Sequence, residues 1–167
     1  ARVAVFGWAI DAPGTTTPFE QRKDIGFIGG YQHPPNVDGA MYFAREVLPL
    51  VRATLPGVRF LVIGSNPPDE LRALESEAVS VTGFIPDLAP VLDGLRLTVA
   101  PLRYGAGIKG KIGTSLAHGL PCVGTPLAVE GMHLTDGLDV LVADSPAALS
   151  EAVIRAYTDA ALWQGLS

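Results

Sequence analysis

A chain of 167 residues, 48% hydrophobic and 17% charged, carries enough apolar material for the core of a single domain. Its formal net charge of −5 excludes nucleic-acid or membrane-surface binding driven by bulk positive charge, so any cationic site has to be local. One cysteine, Cys122, excludes an internal disulfide, and no apolar run reaches the length that spans a membrane.

In chain order, Arg2–Gly7 is a short apolar strand, and residues 8–21, rich in Pro, Thr and Gly, form a loop. Residues 1–24 are therefore expected to be a linker carrying a short strand from a preceding region, with one domain over 25–167. The chain starts without an initiator Met and is expected to belong to a longer protein. Ile25–Ile28 is the first strand of the domain and ends in Gly29-Gly30. Asn36 is a candidate N-cap. Apolar residues then recur at helical spacing from Val37 to about Thr54, with Pro49 expected to kink or divide the helix. Strand Val58–Ile63, a short helix over Pro68–Leu74, strand Val79–Thr82 and a helix capped by Asp87 and running through Leu92 follow. Strand Leu97–Ala100 leads into a glycine-rich loop. A helix runs from near Gly110 to Gly119, a C′ glycine with Pro121 just beyond. Strands Pro121–Gly124 and Val140–Val142 come next. Ser145 and Pro146 are the N-cap and N1 of a terminal helix, which Leu162 and Trp163 extend or follow.

Short, continuously apolar strands alternating with helices predict an α/β fold, a Rossmann-like parallel sheet with helices on both faces. Such sheets bind ligands outside the carboxyl ends of their strands. Gly29-Gly30, Gly64, Gly83, Gly105 and Gly124 stand at or near those ends.

The most informative stretch is Leu97–Thr125, LTVAPLRYGAGIKGKIGTSLAHGLPCVGT. A strand, glycine loop and helix in succession aim backbone N–H groups and a helix dipole at whatever sits above the strand. Lys109 and Lys111 add formal charge, so Gly105–Lys111 reads as a phosphate or diphosphate site. The loop contains G-x-G-x-x-G, but its first glycine lies several residues past the strand. Val123-Gly124-Thr125 also stands where a dinucleotide fold needs a ribose-binding acid. It falls one residue short of a P-loop as well, because Ile112 occupies the Ser/Thr position that would ligate magnesium. No D-x-D occurs in the sequence. Anion binding by amides and lysines, without a metal, survives both comparisons.

Five segments occur in register: Phe27–Asp38 (FIGGYQHPPNVD), Gly83–Leu88 (GFIPDL), Ala100–Lys111 (APLRYGAGIKGK), Ala117–Val123 (AHGLPCV) and Glu130–Met132 (EGM). Together they resemble the C-terminal, donor-binding half of GT-B glycosyltransferases of family 4, over about Ile25 to the C-terminus. The resemblance implies a glycosyltransferase that takes a nucleotide-diphosphate sugar, with a hexose-type group passing to an acceptor such as a bacterial polysaccharide or glycoconjugate. It implies no cofactor and no metal, an acceptor-binding N-terminal domain as partner, and a cytoplasmic location, at most peripheral to the inner membrane. Gly29, Gly30, His33, Arg103, Gly105, Gly107, Lys109 and Lys111 would then bind the donor diphosphate. Phe84, Ile85, Thr114 and Ser115 would lie near the nucleoside. The family's two glutamates, with seven residues between them, align with Ala106 and Thr114, and its Arg…Lys pair after the first strand is replaced by His33 and Asn36. No catalytic residue is assigned on this basis. A non-catalytic binding or assembly module derived from a glycosyltransferase is the alternative. A GT-B epimerase would need acid–base groups that the sequence does not place.

Structural roles compete for several of these residues. His33 either orders its loop or faces a ligand, and Glu130 and His133 either face a sugar or are solvated. His118 suits the C-terminus of its helix, and Cys122 reads as core.

Overall fold

The computed structural model describes residues 11–167. The strand expected at Arg2–Gly7 and the start of the loop after it lie outside them. The elements are β1 (Lys23–Ile28), α1 (Pro34–Tyr42), a π-helical turn (Phe43–Val47), α2 (Leu48–Thr54), β2 (Phe60–Ile63), α3 (Asp69–Arg72), β3 (Val79–Gly83), α4 (Ala89–Gly94), β4 (Leu95–Ala100), α5 (Gly110–Ala117), β5 (Cys122–Gly124), α6 (Pro126–Val129), β6 (Leu141–Val142), α7 (Pro146–Thr158) and α8 (Ala160–Leu166).

The strands form one sheet of order β3-β2-β1-β4-β5-β6, and every pairing is parallel. Successive residues Leu97, Thr98, Val99 and Ala100 of β4 are all buried. Since neighbouring side chains point to opposite faces, the sheet is covered on both sides. The larger apolar cluster includes Phe27, Phe43, Phe60, Leu97, Val123 and Val153. A smaller one joins Ile63, Leu92, Leu95 and Leu120. This is the Rossmann-like α/β sheet expected from the sequence.

Several boundaries moved for identifiable reasons. The first helix starts at Pro34, not Val37, because Pro34-Pro35 supply the fixed φ suited to a first helical turn. Asn36 is therefore inside the helix, and His33 holds the N-cap position without a side-chain capping bond. Pro49 has no N–H to give to the carbonyl four residues back. The chain divides as expected, but the irregularity is absorbed upstream in the π-helical turn. Ser145 caps α7 as expected, accepting from the Ala148 N–H. The residues after α7 form a separate helix, α8, capped by Asp159. Helix α6, capped by Thr125, and a 3₁₀ turn at Phe19–Gln21 were not anticipated.

Arg22 fastens the residues before β1 to the rest of the fold. Its side chain is fully buried. It donates to the carbonyls of Leu92 and Leu95, each at 3.0 Å, and to that of Thr17 at 3.0 Å. It also lies over the Trp163 ring of α8. Burial lowers its pKa, and carbonyl donation on three sides is what makes a buried guanidinium tolerable.

Candidate diphosphate site

Strands β1 and β4 are neighbours, but the chain leaves them in opposite directions along the sheet, towards β2 and β5 respectively. Loops that diverge from adjacent parallel strands leave a crevice at their carboxyl ends, the usual ligand position in open α/β sheets. A cleft of about 560 Å³ lies there, lined by His33, Pro35 and Asn36 on one side and by Leu102, Tyr104–Ala106 and Ile108–Lys111 on the other. The sequence-predicted loop and the β1–α1 turn therefore meet.

Lys111, on the first turn of α5, reaches across the crevice. Its Nζ donates to Asn36 Oδ1 at 2.7 Å, and Asn36 Nδ2 donates to the Gly30 carbonyl at 2.9 Å. The ammonium stands 5.3 Å from the centre of the Phe27 ring. Burial is the main reason its pKa falls to about 8, and the nearby Lys109 charge lowers it further. Lys109 is itself buried, and its Nζ donates to the Gly107 carbonyl. Gly105 and Gly107 take positive φ, which turns the loop back towards α5. Among the described residues every close ion pair involves an arginine, and neither lysine has a carboxylate partner. Two largely desolvated cations without a counter-ion, at the start of a helix, are chemically suited to an anion with several oxygens.

The other predicted residues fall in different places. Gly29 and Gly30 do not line the cleft themselves but stand behind Asn36, which does, with Gly29 against the Asn36 amide and the Gly30 carbonyl accepting from it. His33 lines the cleft. Arg103 does not: its guanidinium turns to α1 and is bound to Asp38. Ser115 lies beneath the start of α5 rather than in the cleft. It is 1% exposed, accepts from Thr98 Oγ1 at 2.8 Å and donates to the Lys111 carbonyl at 2.9 Å. Its hydroxyl is committed to the core. Ser115→Ala is accordingly expected to cost about 1 kcal/mol of stability and leave nucleotide affinity unchanged, which urea unfolding and a UDP titration would check. Thr114 is half-buried and donates to the Gly110 carbonyl. Phe84 is exposed beyond β3, while Ile85 packs on the smaller apolar cluster. Neither lines the cleft. Glu130 and His133 are exposed.

Asn36 and Asp38 carry more of the geometry than the sequence suggested. The Pro34-Pro35 pair was the available signal for Asn36, since it moves the helix start upstream and turns the Asn36 side chain towards β1.

Residues 22–159 match the family described as Glycosyl transferases group 1. The chain belongs to this family. Its fold is similar to that of S. aureus TarM, solved as a point mutant with fondaparinux, alpha-GlcNAc-glycerol and UDP (TM-score 0.80, 14% identity, 94% of this chain and 33% of TarM). It is also similar to the C-terminal domain of the group 1 family protein LpcC from Francisella tularensis (0.71, 15%, 93% and 90%). A third similar structure is Anabaena Alr3699/HepE with UDP and glucose (0.67, 14%, 89% and 42%). The chain thus spans about a third of TarM and nearly all of the LpcC domain. No curated protein matches it. No helix among the described residues is long and apolar enough to cross a membrane.

Proposed function

We propose that this chain is the donor-binding domain of a nucleotide-sugar-dependent glycosyltransferase. In this reading the donor diphosphate lies between Gly29-Gly30 and Gly105–Lys111. The observation that carries it is the pair of carboxylate-free lysines, Lys109 buried and Lys111 half-buried, at the crevice between β1 and β4. Family membership supports it, and the UDP named with TarM and the UDP and glucose named with Alr3699/HepE supply the probe. The two ammonium groups and the α5 N-terminus would stabilise the nucleoside diphosphate as the bond to the sugar breaks, with no metal required. A hexose-type group would pass to a polysaccharide or glycoconjugate held by an N-terminal domain, so the chain alone would bind donor without turnover. Phe84, Ile85 and the Thr114 hydroxyl remain the candidates for the nucleoside end.

A second reading, a non-catalytic module kept for binding, is favoured by one feature. Among the described residues no carboxylate lines the cleft, with Ala106 and Thr114 at the positions discussed above. Transfer by the full-length protein that is lost on Lys111→Met would exclude it.

Calorimetric titration of the chain with UDP, GDP and their sugars tests the donor reading. Saturable binding of at least one is expected, and no binding of any at millimolar concentration would overturn it. The Lys111 ammonium also sets a pH dependence. Its pKa in the free protein is about 8, and a bound diphosphate raises it by favouring the charged form. Affinity should therefore be full below pH 8 and fall as pH rises through that value. UDP titrations at pH 7 and 9 would show it; equal affinities would mean the ammonium does not meet the anion.

A further inference from the structure

Arg103 leaves the end of β4 and crosses to α1, where Nε donates to Asp38 Oδ2 at 2.9 Å and Nη2 to Oδ1. The guanidinium also covers the Tyr42 ring, 4.7 Å from its centre. Helix and loop are close enough for this because residue 39 is glycine: a Cβ there would stand 3.2 Å from the Pro101 carbonyl oxygen. The residue before Arg103 is fixed as well, its carbonyl accepting from Thr125 Oγ1 at 2.6 Å. Beyond Arg103 little holds the loop. Tyr104 and Ile108 are 47% and 72% exposed, and the next anchored residue is Lys109. The loop is thus tied at both ends and contains two glycines of positive φ between them.

The cations of this region divide into two kinds. Lys109 and Lys111 face the cleft without a carboxylate. Arg103 is outside it, neutralised by Asp38, with Glu46 at 4.0 Å. We infer that the Asp38–Arg103 pair is a latch that holds residues 103–109 in the shape that receives the diphosphate, so that both are positioning residues and neither touches the anion. A glycine-rich segment left free would have to be ordered on binding, at the expense of affinity. The pair is half exposed on the arginine side, so its loss should act on the loop and leave global stability nearly unchanged. The inference rests on the donor-site reading above.

The test compares the chain with Asp38→Ala, Arg103→Ala and the double variant, using amide hydrogen exchange of residues 104–109, thermal midpoints, and calorimetry with UDP and uridine. Each single variant is expected to speed exchange in the loop and weaken UDP by about tenfold, with uridine affinity and the midpoint unchanged. The double variant should be no worse than either single one, because the two residues act as a unit. Removing the Asp38 carboxylate makes the region more positive, which alone would strengthen anion binding, so a loss in Asp38→Ala is specific to positioning. Unchanged loop exchange in Asp38→Ala would overturn the inference. So would weakened UDP binding in Arg103→Ala with unchanged or tighter binding in Asp38→Ala, the result expected if Arg103 contacted the phosphate directly. Failure of the donor-site reading would show separately, as absent UDP binding by the unsubstituted chain.

Discussion

Replacing Lys111 by methionine is expected to weaken UDP binding by about a hundredfold, the loss of one buried charge-assisted contact, while uridine binding stays the same. The asymmetry follows from where the ammonium sits. It spans from α5 to Asn36 at the mouth of β1, beside the Gly30 carbonyl and above the Phe27 ring. No carboxylate among the described residues pairs with it. Methionine keeps much of the apolar stem and its packing, so the substitution removes charge with little change of shape. Stability should not suffer. The folded-state pKa lies below the ordinary lysine value, so the unfolded chain binds more protons between about pH 8 and 10.5. The charged form of Lys111 is thus a cost to the native state at neutral pH, and the Met variant should melt no lower than the parent. Such a trade of stability for a charged site is common where binding needs an unpaired cation. Calorimetry with UDP and uridine, alongside a thermal scan, would check both halves. Parallel losses for the two ligands would place the lysine outside the phosphate site.

Gly64→Ala should have the largest effect on the fold. Residue 64 follows β2 with φ +141°, and a Cβ on it would stand 1.7 Å from the Gly29 carbonyl oxygen. The obstacle is backbone, so no rotamer change relieves it. Either the Gly29-Gly30 turn moves or β2 separates from β1, where Gly29 N–H donates to the Ile63 carbonyl at 2.9 Å. A loss of about 3 kcal/mol or more is expected, read as a shift of the urea midpoint. Because the displaced turn holds Asn36, which lines the cleft, UDP affinity should fall in whatever native protein remains. A loss below about 1 kcal/mol would show that the turn adapts more easily than this packing allows. The glycines at the strand ends thus have two roles. Gly64 is required by the approach of its neighbour's backbone, while Gly105 and Gly107 shape a loop.

These cases show what the sequence could and could not reveal. Continuous apolar runs such as Leu97–Ala100 predicted buried parallel strands, and glycines after β1 and β4 predicted a cleft at their carboxyl ends. Local grammar also placed the α5 and α7 termini, through Gly119 and Ser145-Pro146. Pairings between distant residues were not legible. Arg103 and Asp38 are 65 positions apart, and neither has a local pattern that announces the other, so Arg103 read simply as a cation beside a glycine loop. Ser115 likewise read as a free hydroxyl, because only the folded sheet puts Thr98 within 2.8 Å of it. The register of α1 was misjudged by giving the cap to Asn36 when two prolines marked an earlier start. The correction mattered for the site, since it made Asn36 the partner of Lys111.

The central claim, a diphosphate held between the β1–α1 turn and the Gly105–Lys111 loop, is most directly tested by a crystal structure of the chain with UDP. The account predicts the diphosphate in the cleft, with a phosphate oxygen within hydrogen-bond distance of Lys111 Nζ. A bound UDP whose phosphates lie instead along the outer groove beside Arg45 and Glu70, with Lys111 still bound only to Asn36, would contradict it.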